Sequence, residues 1–151
     1  YSHLYGINAI GLRFFTVYGP WGRPDMAMYI FADNITSNKP IQVFNHGKMK
    51  RDFTYIDDII FGIRSAMEKN LKCEIFNLGN NKSEDLMDIV AHIELNLKKK
   101  AKIKFLPMQA GDVAQTYADI EKSKKMLNYH PSINVDLGIK KLIDWYKEYK
   151  N

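Results

Sequence analysis

A chain of 151 residues, 46% hydrophobic and 26% charged, has the balance of one globular domain, long enough to bury about 70% of its unfolded surface. No apolar run approaches a membrane span, and a lone cysteine, Cys73, excludes an intrachain disulfide framework and fits a reducing cytoplasm. The net charge of +5 admits a basic nucleic-acid-binding face or a lysine-rich solvated surface around a site for an anion, and the expectation taken is the second, with no nucleic-acid or membrane partner.

Tyr1 to Gly6 reads as part of a helix, with no initiator Met before it. Ile7 to Val17 follows as one mostly apolar run, the signature of a buried parallel strand. A turn rich in Gly, Pro and Arg leads into a helix over 25–38, with Pro24 at its start and Ala27, Ile30, Phe31 and Ile35 sharing a face. Ile41 to Asn45 and Lys50 to Tyr55 read as short strands joined by a turn at His46-Gly47. Asp57 or Asp58 is placed to cap a helix with Ile59, Ile63, Ala66 and Met67 on its apolar face.

Glu74 to Leu78 reads as a strand closed by Gly79-Asn80-Asn81. Ser83, Glu84 and Asp85 mark a helix start, followed at helical spacing by Leu86, Ile89, Val90, Ile93 and Leu97. A strand over 103–106, a short helix over 121–127 and a final helix over 135–149 complete the order βαββαβαβαα, an α/β pattern. No Gly-rich turn follows a strand, so nothing in this chain builds a dinucleotide site unaided.

Several polar residues stand where ligands bind, each with a plainer alternative. Thr16 lies near the end of a predicted strand, where open α/β sheets place their ligands, or else bonds to local backbone. Arg23 sits at a predicted helix start, an unfavourable place for a cation unless an anion is bound. Arg51 offers a planar fork that matches phosphate oxygens, or pairs with Asp52 or Asp57. Asp112 could accept hydrogen bonds from a ribose, or serve only its own turn. His46, His92 and His130 are too scattered for a metal site, and Cys73 reads as a small structural residue. By spacing alone the chain shows a ligand loop and no catalytic machine.

The run Arg13-Phe14-Phe15-Thr16-Val17-Tyr18-Gly19-Pro20-Trp21-Gly22-Arg23-Pro24-Asp25-Met26 resembles the substrate loop of nucleotide-sugar epimerases, in the extended short-chain dehydrogenase/reductase family, and its wording is closest to the UDP-glucuronate 4-epimerase subgroup. Further matching blocks follow in order: Lys39 through Ile59, Phe76 through Asn80, Leu106 through Val113, Tyr117-Ala118-Asp119 and Trp145 through Tyr149. The resemblance implies the C-terminal part of an extended Rossmann-type fold, the last sheet strands plus a smaller substrate-binding α/β subdomain. The whole of 1–151 is then the substrate-binding half of an epimerase whose NAD-binding half lies upstream.

The same resemblance implies site roles. Thr16 faces the sugar and could touch a uronic carboxylate; Arg23 and Arg51 hold the UDP pyrophosphate; the backbone around Val43 and Phe44 lines the uracil pocket; Asp112 binds the ribose. Phe15 and Val17 lie where relatives meet the nicotinamide ring. An Arg that often precedes the Pro-Gly-Asp motif of relatives is replaced here by Gln109 and Ala110. The reaction implied is transient oxidation at C4 of UDP-glucuronate by bound NAD, giving UDP-galacturonate. Its Tyr-x-x-x-Lys motif falls upstream, so no catalytic residue is assigned in this chain, Tyr1 included. The resemblance further implies a homodimer for the intact enzyme, and an inactive, poorly soluble fragment with an exposed strand edge. A dehydratase or decarboxylase of the same family, a stand-alone nucleotide-sugar binding module and an RNA binder are the competing expectations.

Overall fold

The apolar run that begins at Ile7 does not form one strand. In the computed structural model, which describes residues 1–150, it divides at Phe15 into β1 (Ala9–Phe14) and β2 (Thr16–Tyr18). β1 pairs in parallel with β6 (Cys73–Leu78), and β2 pairs in parallel with β5 (Phe53–Tyr55). Apolar periodicity reports that a segment is extended and buried; it carries no mark of which neighbour takes its hydrogen bonds. Among the described residues each ladder has two strands, so one edge of β1 is open.

The expected hairpin is also absent. β3 (Pro40–Val43) leads through a 3₁₀ turn at Phe44–Gly47 to β4 (Lys50–Arg51), but the two strands part company. β3 runs parallel to β8 (Lys102–Phe105), and β4 runs antiparallel to β7 (Glu84–Asp85). The turn between them is left-handed at Asn45, His46 and Gly47.

Among the described residues six helices complete the fold: α1 (Ser2–Tyr5), α2 (Ala27–Thr36), α3 (Ile56–Met67), α4 (Leu86–Leu97), α5 (Glu121–Leu127) and α6 (Val135–Lys150). The last three fall where helical spacing puts them. On α2 the buried face is Met28, Phe31, Ala32 and Ile35, so Ile30 lies off the core and looks into a cleft. On α3 neither Asp57 nor Asp58 is the cap. Tyr55 takes the N-cap position, with no side-chain cap bond, and both aspartates lie in the first turn. Asp58 instead accepts hydrogen bonds from the Ser132 and Ile133 amides, at 3.0 and 3.1 Å, tying down the segment before α6. Met67, expected on the apolar face, is exposed, as is Cys73.

Two apolar clusters result. One gathers α2, α4 and α6 around β3 and β5, with Phe31, Ile41, Ile89, Ile139 and Tyr146 at its centre. The other packs α3 and α5 against β6 through Ile59, Phe76, Leu78, Leu127 and Tyr129. β2 is the seam: Tyr18 belongs to the first cluster while Val17 packs against the second.

Two tests follow from this packing. A Cβ at Gly138 would collide with the Tyr18 side chain, whose buried hydroxyl has no partner among the described residues. Gly138→Ala is therefore expected to cost about 2 kcal/mol and lower the thermal midpoint by roughly 4–8 °C. An unchanged melt would refute this account of the α6–β2 contact. The second concerns Asp33, which accepts from the Tyr146 hydroxyl at 2.9 Å and pairs with Lys150 at 2.9 Å, bridging α2 to α6. The Lys150 bond, then the Tyr146 bond, holds this carboxyl below its ordinary value of 3.8. Its contribution is thus present above the unfolded value and lost as pH falls through the lower folded one. Thermal midpoints below about pH 4 should fall less steeply in Asp33→Asn than in the parent chain.

Candidate functional site

Four of the residues singled out in the sequence open onto one cleft of about 540 Å³. Thr16 enters it from β2, Arg51 from β4, Phe44 from the turn after β3, and Asp112 from the loop between β8 and α5. That size is ordinary for a small-molecule site. One wall is apolar, made by Ala27, Ile30 and Phe31 of α2, with Met49, Phe53 and Leu86 at the base. Two neutral amides, Asn34 and Gln42, face the same space. Gln42 does so by alternation, since its neighbours on β3, Ile41 and Val43, point into the core.

Val43 is therefore a core residue and its side chain does not reach the cleft. Its carbonyl accepts from the Leu106 amide at 2.9 Å, extending the β3–β8 ladder toward Phe44. Arg51 pairs with neither Asp52 nor Asp57. Its guanidinium meets Asp112 at 2.6 Å and donates to the Lys50 carbonyl at 2.9 Å. Two candidates far apart in sequence thus form one ion pair, with side chains only 15% and 31% exposed. Asp112 also serves its own turn, accepting from the Val113 amide at 2.8 Å.

What places Asp112 beside Arg51 is a residue the sequence reading treated only as a possible ion-pair partner. Asp52 is fully buried. Its carboxylate accepts from the Asn80 amide at 2.7 Å, the Thr54 hydroxyl at 3.1 Å and the Ala118 amide at 3.1 Å. Its own amide donates to the Thr116 hydroxyl, and its carbonyl accepts from the Thr16 amide, both at 3.1 Å. The segment after Asp112 is further laced to β4, the Lys50 amide donating to the Ala114 carbonyl at 2.9 Å. An aspartate inside a short predicted strand was the available signal, because a buried charge persists only where hydrogen bonds surround it.

Phe15, Val17 and Arg23 lie elsewhere. They line a second cleft of about 410 Å³, formed with Tyr18 and the turn 19–22. Strand alternation explains the division, since Thr16 and its two neighbours project to opposite faces of the chain. Arg23 stands between the clefts. It makes an exposed bidentate pair with Asp25, both bonds at 3.1 Å, and Asp25 borders the first cleft.

Residues 1–79 match the model of the NAD dependent epimerase/dehydratase family, and the chain belongs to that family. It is 56% identical over 151 residues to an uncharacterized protein of Methanocaldococcus jannaschii, covering all of this chain and 46% of that one. It is 45% identical over 149 residues to a UDP-glucuronate 4-epimerase of Thermodesulfobacterium geofontis, covering 98% of this chain and 46% of that one. Among solved structures, the UDP-glucuronic acid 4-epimerase of Bacillus cereus in complex with UDP-glucuronic acid and NAD superposes with a TM-score of 0.91 at 36% identity, covering 97% of this chain and 48% of that one. The fold is thus that of part of a Rossmann-type epimerase, and the chain spans about half the length of the relatives it matches.

Removing the Asp52 carboxylate would strand two backbone amides and a hydroxyl in the interior. Asp52→Ala is expected to cost about 3 kcal/mol or more. Chemical denaturation measures this, and a loss under about 1 kcal/mol would remove Asp52 from its role as the clamp of the cleft.

Proposed function

We propose that this chain is the nucleotide-sugar-binding half of an NAD-dependent UDP-sugar 4-epimerase that interconverts UDP-glucuronate and UDP-galacturonate. The observation that carries the reading is the convergence of Thr16, Phe44, Arg51 and Asp112, from four separate segments, on one cleft with an apolar wall. Phe44 offers a flat face for the uracil, Asp112 a carboxylate for ribose hydroxyls, and Arg51 a fork for phosphate oxygens. Arg23, at the outer end, completes the pyrophosphate grip. Thr16, near the seam, meets the sugar and its carboxylate. The likeness to enzymes named for UDP-glucuronate supports this choice of sugar.

The residues that would meet NAD fit a contact and not a whole site. Phe15 and Val17 offer apolar surface on the far side of β2, suited to one face of a nicotinamide ring. The chemistry that bound NAD supplies is reversible acceptance of hydride from the sugar C4. This chain's share is to bind the nucleotide, orient the sugar across β2 and exclude water from the apolar cleft. The general base and the dinucleotide cradle belong to the other half of the enzyme, which in this reading docks along the open edge of β1. Exposed Phe14 and Ile75 on the β1–β6 pair support that docking, because parallel strands are ordinarily covered on both faces. A cytoplasmic location and a homodimeric intact enzyme are part of the same reading.

Calorimetric titration with UDP tests the binding claim. UDP is expected to bind the chain, and Arg51→Ala to weaken it about 10- to 100-fold, the worth of a charged hydrogen bond. Failure of UDP to bind the folded chain would overturn the reading. The chain alone is expected to show no epimerisation, with activity appearing when the half bearing Tyr-x-x-x-Lys is added. Turnover by the chain alone would refute that division of labour.

A further inference from the structure

Trp21 occupies backbone that does not suit it. Its φ is +60, in the left-handed region where a bulky aromatic residue is strained. Most other non-glycine residues with positive φ in this chain are asparagines, which tolerate it. A glycine or asparagine would hold the Gly19–Gly22 turn without that cost. Such strain persists only where the contacts of the side chain outweigh it.

Trp21 is 78% exposed, so those contacts are few and identifiable. Its ring centroid lies 5.4 Å from Trp145 and 5.6 Å from Tyr149, and these two are stacked at 5.1 Å with an interplanar angle of 19°. Both partners project from α6, which is itself held fast. Tyr146 and Lys150 bind Asp33 of α2, and Tyr29 of α2 lies 5.7 Å from the Tyr146 ring and 6.5 Å from Trp145. A fixed aromatic surface on α6 therefore receives one ring from the loop. Two residues beyond that ring is Arg23, whose side chain is 74% exposed and carries no core packing of its own.

We propose that Trp21 is a positioning residue: with Trp145 and Tyr149 it forms an aromatic latch that fastens the Gly19–Arg23 turn to α6 and so sets the Arg23 guanidinium toward a bound nucleoside diphosphate. This rests on the reading of Arg23 as part of the pyrophosphate grip. The strained φ is the cost of using tryptophan at a turn, and the stack against α6 is what that choice secures.

The test is UDP binding by calorimetry, alongside thermal melts, for the parent chain, Arg23→Ala, Tyr149→Ala and Tyr149→Phe. Tyr149 is an exposed position, so its truncation leaves the core intact. Tyr149→Ala is expected to weaken UDP binding about three- to ten-fold with the melt little changed, the loss expected from breaking its one aromatic contact with the turn, that to Trp21. Tyr149→Phe, which keeps the ring, should bind as the parent does. Parent-like UDP affinity in Tyr149→Ala, while Arg23→Ala binds poorly, would overturn the latch and leave the site reading standing. If UDP does not bind the parent chain, or binds Arg23→Ala equally well, the reading of Arg23 fails and with it the purpose of the latch. Hydrogen exchange at the Gly22 amide, which donates to the Gly19 carbonyl at 3.2 Å, then judges the mechanical part alone. Faster exchange in Tyr149→Ala supports the fastening, and unchanged exchange refutes it.

Discussion

A carboxylate with no exposed surface sits at the centre of this chain, and the site is arranged around its needs. Leaving Asp52 ionised in the interior costs several kcal/mol unless donors converge on it. Those donors come from Thr54, Asn80 and Ala118, while its own backbone engages Thr16 and Thr116. Segments scattered along the chain are thereby obliged to meet at one point. Close packing supports the same junction, since Gly79 lies against Ala118 with no room for a side chain and its carbonyl accepts from the buried Tyr129 hydroxyl at 3.0 Å. Arg51 and Asp112 are brought together as a consequence of this junction, one adjacent to Asp52 and the other at the head of the loop it holds.

The second organising fact is how much strands of three or four residues do. β2 sends Thr16 into one cleft, Val17 with the preceding Phe15 into another, and Tyr18 into the larger core. β3 does the same with Ile41 and Val43 inward and Pro40 and Gln42 toward the cleft. A strand alternates faces at every residue, so a thin parallel pair can separate two binding spaces by one backbone's thickness. In the proposed reaction, which moves hydride between a sugar and a cofactor, that thinness is the useful property.

These features also decide what could be read in the sequence. Helices α4, α5 and α6 were legible because their apolar spacing and start signals are local. The break at Phe15 and the missing hairpin were not, because ladder partners lie tens of residues away: β1 with β6, β3 with β8. The site followed the same division. Thr16, Arg51 and Asp112 were legible as types at suggestive places, Phe44 only through the resemblance, and the four share a cleft, whereas Arg51 took a partner 61 residues distant over the aspartate beside it. Asn34 and Gln42 passed unnoticed because a neutral amide leaves no charge or motif signal, and only the fold shows that they face a common space.

The two candidate phosphate-binding arginines are both already paired, and the pairs differ in a way that bears on how an anion would enter. Arg23 and Asp25 are mostly in water, so opening that pair costs roughly 0–1 kcal/mol. Arg51 and Asp112 are largely withdrawn from solvent, and the carboxylate also holds the Val113 amide. Separating them would leave a partly buried charge without its partner, which is far more costly. On the proposed reading, an arriving diphosphate gains from bonding to the unused N–H groups of Arg51 while its pair with Asp112 stays closed. It gains from Arg23 by displacing Asp25. On that reading the inner arginine keeps its partner, while the outer one, on the turn that Trp21 fastens to α6, exchanges Asp25 for the anion.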